Sequence, residues 1–293
     1  MPEAPDHANV PAVPDRPAPD RPAPDRPTPD RPAPDRPTPD RTAASSRGAG
    51  PAASARTAVV WEVLSAVLAE ADPQGRGLDV LDAGGGTGGF AVPLARAGHR
   101  VTVVDPSPDS LAALQRRAAE AGLGDRVVGL QGDLDDLPGL VAPGSADLLL
   151  CHSVLEVVDD PAEALSRVAG VLRPGGRLSL LVANRSAAVL ARALAGRPDE
   201  AVRVLTDPDG RWGPADGLRR RFTSDVLGDL VTGAGLVVEQ LHGVRVVADL
   251  VPSAVLDTEP GAAAALLALE RALSDQLPFR DVATQLHLLA VRL

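Results

Sequence analysis

The chain has 293 residues, 44% of them hydrophobic, with a formal net charge of −10 and a single cysteine, Cys151. That is enough apolar material for a core without metals or disulfides, and a lone cysteine excludes an internal bridge, which fits a reducing, cytoplasmic setting. The acidic balance argues against nonspecific binding to DNA, no apolar run reaches the roughly eighteen residues that span a bilayer, and no basic-then-apolar signal opens the chain.

From Asp15 the unit DRPAP or DRPTP repeats five times to Pro39 and starts again at Asp40 and Arg41. Proline at two of every five positions removes amide donors and forbids helix, while Asp and Arg stay hydrated. Residues 1–52 are therefore expected to be an extended, disordered tail, and residues 53–293 the folded domain. The domain opens with a predicted helix from Ser54 to Ala71, whose Val59, Val63, Leu64 and Val67 share one stripe. Short apolar runs follow at Val80–Asp82, Val101–Asp105, Val127–Gln131, Asp147–Cys151 and Leu178–Ala183. Such runs suit strands buried on both faces. Helical spacing between them, at Gly88–Ala97, Pro108–Ala121 and Pro161–Leu172, predicts βαβ crossovers and a mostly parallel α/β sheet with helices on both faces. Beyond Ala183 the residues up to Arg221 fit neither period and are expected to be an insertion over the site, about 184–221. A helix at Thr223–Gly233, a strand at Leu236–Val247, a helix at Ala262–Ser274 and a strand at Leu286–Arg292 complete the pattern.

The first strand runs into DAGGGTGG, Asp82 to Gly89. Gly84, Gly86 and Gly89 satisfy G-x-G-x-x-G, the dinucleotide fingerprint, and Asp105 ends the next strand where a ribose diol would sit. The loop lacks the lysine of a triphosphate-binding P-loop. Asp82 stands two residues before the first glycine, where a carboxylate repels a pyrophosphate and attracts an ammonium group. A ligand with adenosine at one end and a cationic amino acid at the other fits, namely S-adenosylmethionine. Its candidate contacts are Asp82, the bare backbone at Gly84, Gly85, Gly86 and Gly88, Asp105 for the ribose, and Asp133, Leu134 and Asp135 of GDLDDLP for the adenine. All these positions fall on the carboxyl edge of the sheet, where open α/β folds bind ligands.

The set formed by DAGGGTGG, the strand-end Asp105, GDLDDLP, HSVLEVVDDP and LRPGGRLSL resembles the class I methyltransferase family. The resemblance implies a Rossmann-like fold, a seven-stranded, mostly parallel sheet whose last strand is antiparallel. More closely, VLDAGGG, LLLCHSVLEVVDDP, LRPGGRLSLLVAN, HGVRVVADL and the closing LALERALSDQLPFRDVATQLHLLAVRL are similar to the tRNA 5-carboxymethoxyuridine methyltransferase family. That resemblance implies methylation of the carboxylate of a modified wobble uridine, a cofactor contact from Arg56 in the first helix, and cofactor-site roles for His152, Gly84 and Gly85.

A sulfonium is already an activated electrophile, so such a protein has to hold the acceptor in line with the methyl group at about 3 Å and exclude water. A carboxylate acceptor needs no general base but does need a guanidinium to orient it, and Arg245, Arg220 and Arg221 are the candidates. A hydroxyl or amine acceptor would make His152 the base, with Glu156 as its orienter, whereas packing against the cofactor is the alternative role of that ring. An anionic acceptor, tRNA or a small molecule, is expected as partner. An O- or N-methyltransferase of a metabolite, an NAD-dependent oxidoreductase and a non-catalytic cofactor-binding module are the competing readings. No His, Cys, Asp or Glu spacing matches a metal site, and oligomeric state has no signature.

Overall fold

A computed structural model describes residues 51–293. The tail expected over 1–52 therefore lies, up to residue 50, outside the described residues. Among those described, seven strands form one sheet: β1 (Asp79–Ala83), β2 (Arg100–Asp105), β3 (Val127–Gln131), β4 (Ala146–His152), β5 (Leu172–Ala183), β6 (Leu236–Val244) and β7 (Gln285–Arg292). Their order is β3-β2-β1-β4-β5-β7-β6. β1 pairs parallel with β2 and β4, and β7 runs antiparallel to both β5 and β6. This is a Rossmann-like sheet with its last strand reversed, as the resemblance implies.

The helices are α1 (Pro51–Ala71), α2 (Ala91–Arg96), α3 (Pro108–Glu120), α4 (Leu137–Leu140), α5 (Pro161–Val171), α6 (Arg185–Leu194), α7 (Pro198–Thr206), α8 (Ser224–Gly233), α9 (Ser253–Thr258), α10 (Ala262–Leu273) and α11 (Phe279–Val282). Local chemistry sets their starts. Ser107 caps α3 by accepting from Ser110, and Asp160 caps α5 by accepting from Ala162 and Glu163, each with proline in the first helical turn. The strands between them are apolar on both sides because the sheet carries a core on each face. β4 sends Leu148 and Leu150 into the layer beneath α1, α2 and α3, and Leu149 and Cys151 into the layer beneath α5 and α8. Each fully buried leucine contributes on the order of 2 kcal/mol of transfer free energy.

The elements depart from the reading of the sequence at several boundaries, and β5 begins at Leu172, six residues before the expected Leu178. β6 stops at Val244, short of the expected Val247, because Arg245 turns the chain at φ 60. The next three amides, of Val246, Val247 and Ala248, then donate to the carboxylate of Glu270, which is 0% exposed. The stretch 184–221, which fitted neither period, contains α6 and α7. Both helices do carry a helical apolar period that the reading missed, although α6 buries none of its residues.

Candidate functional site

β1 enters a turn that only glycine can make. Gly84 sits at φ +75, its amide donates to Val104 O at 2.7 Å, and a Cβ there would run into Cγ2 of Val154. Gly88 is at φ +81, and its Cβ would run into Leu114 of α3. A Cβ on Gly85 would come within 2.5 Å of the Asp82 carboxylate. Gly89, the third glycine of the fingerprint, meets nothing within 4 Å, so Gly88 is the spatially constrained position. Gly84→Ala is therefore expected to cost about 1–3 kcal/mol through the left-handed backbone and the collision together. Adding Val154→Ala should recover only the collision part in a denaturant titration, and full recovery would contradict the backbone argument.

Two acids flank this turn. Asp82 is 2% exposed, and its Oδ2 has no hydrogen-bond partner. Burial, and secondly the charge of Asp105, push its carboxyl up to about 7. Asp105 is 8% exposed and accepts from the Gly86 amide through Oδ2 and the Ser107 amide through Oδ1, each at 2.9 Å. A carboxylate has about four acceptor positions, so two stay open for a vicinal diol. Next to the turn lies a cleft of about 320 Å³, lined by Gly84, Val104, Asp133, Leu134, Asp135 and Val154 among others. Asp133 accepts the Asp135 amide at 2.8 Å, fixing the loop after β3, and Asp135 is ion-paired with Arg167 of α5. An orphaned, buried carboxylate oxygen beside bare backbone, with a second acid and a narrow cleft following, meets what S-adenosylmethionine requires of a seat. Among the described residues no three His, Cys, Asp or Glu side chains group as a metal site.

Residues 81–180, the stretch that carries both acids and the cleft-lining loops, match the family model described as a methyltransferase domain. This segment is a methyltransferase domain. Over 145 residues the chain is 39% identical to the tRNA 5-carboxymethoxyuridine methyltransferase of Escherichia coli (strain K12), a match covering 49% of this chain and 54% of that protein. It is also 33% identical over 171 residues to a ubiquinone biosynthesis O-methyltransferase of Xylella fastidiosa (strain 9a5c), covering 58% of this chain and 65% of that one. The chain thus matches about half the length of the first of these relatives. Among solved structures, an S-adenosylmethionine dependent methyltransferase from Mesorhizobium loti superposes with a TM-score of 0.52 at 21% identity, over 79% of this chain and 97% of that chain.

Within the methyltransferase domain, His152 ends β4 one residue beyond Cys151, which pairs with Ala83 at the mouth of the glycine turn. Phe90 meets its ring edge-on at 4.7 Å, and Trp61 stacks on Phe90 at 4.9 Å. Burial drives its imidazole down to about 3. The Glu156 carboxylate, expected as its orienter, instead accepts the Ala183 amide at 2.7 Å, while its backbone carbonyl accepts from Arg219 and Arg220. Glu156 therefore ties the β4 loop to the end of β5, and burial raises its carboxyl. Cys151 is fully buried, and burial pushes its thiol well above the ordinary range.

The arginines divide. Arg221 is not placed to orient an acceptor: it is 7% exposed, its two terminal nitrogens grip both oxygens of Asp216 at 2.7 and 3.0 Å, and Gly210 O takes a further bond. Its guanidinium lies over the Trp212 ring, 4.1 Å from the centroid, as does that of Arg192 at 3.6 Å. Arg220 donates to Asp159 O at 3.0 Å, and Arg219 is ion-paired with Asp159 and lines the cleft. Arg221 is thus held by its neighbours, whereas Arg220 keeps its buried Nη1 without a partner and the Arg219 side chain stays exposed. Arg221→Ala is expected to destabilise by about 3–5 kcal/mol, because it strands Asp216, whose side chain is 0% exposed. Arg221→Ala with Asp216→Ala should recover much of this in thermal melts.

Arg56 and Arg245, in contrast, converge. Asp249 accepts from Arg56 Nε at 3.1 Å through one oxygen and pairs with Arg245 Nη2 at 2.6 Å through the other. Two cations share one counter-charge here, and the buried Arg245 Nε has no partner. Asp249 and the buried Glu270 were not singled out in the sequence, where both read as ordinary charges in helical or loop surroundings.

Proposed function

We propose that the chain is an S-adenosylmethionine-dependent methyltransferase whose acceptor is a carboxylate. The observation that carries the cofactor is Asp82, a buried acid with an orphaned oxygen directly under glycine backbone. A pyrophosphate at that place would face a carboxylate, which argues against the NAD reading, and a cationic amino acid would satisfy it. The bound cofactor supplies a methyl group on a sulfonium. Asp82 would hold its ammonium end, Asp105 its ribose, and the Asp133–Asp135 loop its adenine.

His152 supports the acceptor class. An imidazole held down to about 3 is a weak base at neutral pH, so an acceptor that must lose a proton would find no competent partner in it. A carboxylate, with an ordinary pKa near about 4, arrives ionised. Arg245, with its unpartnered Nε, supplies the guanidinium to orient such a group, and Arg56, which shares Asp249 with it, keeps the cofactor contact that the resemblance implies. The 39% identity to a tRNA 5-carboxymethoxyuridine methyltransferase favours a modified wobble uridine in tRNA as the carrier of that carboxylate, and hence a cytoplasmic role. A small-molecule acceptor is the second reading, favoured by the pairing of Arg219 with Asp159 and the burial of Arg221 against Asp216, which thin the basic patch open to RNA.

Calorimetry with S-adenosylmethionine and with NAD tests the cofactor, and tight NAD binding alone would overturn the reading. Transfer of labelled methyl to RNA containing carboxymethoxyuridine, to RNA lacking it and to a small-molecule extract tests the acceptor. Label in the extract alone moves the assignment to a metabolite.

A further inference from the structure

Behind His152 lies a buried chain of polar groups that the cofactor seat does not use. His152 Nε2 is 2.9 Å from Ser179 Oγ on β5, and the same oxygen is 2.8 Å from His287 Nε2 on β7. Ser179 and His287 are both 0% exposed, and His242 of β6 stacks on His287 with ring centroids 5.7 Å apart. The Nδ1 atoms of His152 and His287 are buried without a hydrogen-bond partner.

Proton counting decides much of this arrangement. Desolvation holds both imidazoles well below their ordinary range, so each ring is neutral and carries one N–H. Two hydrogen bonds meet at the serine oxygen, which has no third partner among the described residues, so its hydroxyl proton lies in one of them. The proton in the other comes from one ring, so one histidine is protonated at Nε2 and the other is bare there and protonated at Nδ1. A buried N–H with no acceptor is the rarer and costlier orphan than a bare lone pair. His287 is enclosed in the sheet, between Leu286 and Leu288, which are also 0% exposed, whereas His152 stands partly exposed at the carboxyl edge. The orphaned N–H therefore belongs at His152, the less enclosed of the two rings. His287 Nε2–H donates to Ser179, and Ser179 O–H donates to His152 Nε2.

We propose that Ser179 and His287 are positioning residues that fix His152 as the Nδ1–H tautomer, a standing hydrogen-bond donor with no lone pair left to take a proton. The consequence for acceptor class rests on the methyltransferase reading: a ring so fixed serves an acceptor that arrives ionised and cannot serve one that must be deprotonated. The tautomer itself does not depend on that reading.

The test is a long-range proton–nitrogen correlation spectrum of the full chain with labelled histidine at neutral pH. It should show His152 protonated at Nδ1 with a bare, hydrogen-bonded Nε2, and His287 in the opposite form. His152 protonated at Nε2, or a rapid average of the two forms, overturns the proposal. In Ser179→Ala the His152 signal should lose its single-tautomer signature, and in Ser179→Thr, which keeps a hydroxyl, it should be retained. An unchanged His152 in Ser179→Ala also overturns it. The wild-type spectrum decides the tautomer even where a variant fails to fold. Loss of S-adenosylmethionine binding with the tautomers as stated would sink the methyltransferase reading and leave this one standing.

Discussion

Affinity for S-adenosylmethionine is expected to rise about tenfold per pH unit from about pH 5 to about pH 7 and then to level off. The reason is Asp82, whose carboxyl is pushed up to about 7, first by burial and then by Asp105. Below that value the ligand-free protein holds a neutral acid, and a cationic ligand must first displace its proton. Above it the carboxylate is already charged, and no further gain is available. The stability of the ligand-free chain should move the opposite way. Because the folded acid keeps its proton from its ordinary 3.8 up to about 7 while the unfolded one loses it, stability is highest below about pH 4 as far as this group is concerned. It falls by an amount on the order of 4 kcal/mol as pH climbs to about 7, and is flat beyond. Asp82→Asn should flatten both profiles, stabilise the free chain at neutral pH and weaken binding. Calorimetry across pH in buffers of different ionisation enthalpy checks the proton release, and a flat affinity profile in the wild-type chain would remove Asp82 from the seat.

Asp105→Ala should lower the same affinity by roughly a hundredfold, as expected for losing charge-assisted hydrogen bonds of about 1.5–3 kcal/mol. Two losses combine. The diol loses its acceptor, and the Gly86 and Ser107 amides, which Asp105 holds at 2.9 Å, are released, so the glycine turn loosens. Asp105→Asn keeps one acceptor oxygen and should fall between the two. It should also shift the pH profile toward lower pH, since the charge of Asp105 is the second cause that raises Asp82. An Asp105→Asn variant with the wild-type midpoint would show that the two acids do not sense each other. Isothermal titration of wild type and both variants across pH reads affinity and midpoint together.

The cofactor seat was legible because its parts are local. Asp82, the glycines and Asp105 lie in one strand–turn–helix–strand passage, and apolar runs ending in acids mark where each strand stops. Even there the pattern was read slightly off, since Gly88 and not Gly89 is the glycine pressed against α3. The acceptor side was less legible. Arg221 and Arg245 look equivalent in the sequence as guanidiniums that could orient an acceptor. Arg221 is consumed by Asp216 five residues earlier, and Arg245 keeps an unpartnered Nε at a strand end. Glu156, placed one helical turn after His152, seemed its natural partner, but Ala183 at the end of the neighbouring strand takes its carboxylate.

By itself the sequence determined the alternation of strands and helices, the reversed last strand implied by its motifs, and an acid–glycine–acid cradle. The alternation and the cradle follow from hydrophobic period and backbone permissiveness, which act over a few residues at a time, whereas the reversed strand is what the family resemblance implies. Only the tertiary structure decided which charges are spent and which are free. Asp249 reaches Arg56 across 193 positions, and Ser179 joins His152 and His287 across 27 and 108. The serine meets both rings because the sheet pairs β5 with β4 on one side and with β7 on the other. The state of a buried proton or guanidinium is fixed by what lies within about 3 Å of it, a distance that spacing along the chain does not encode.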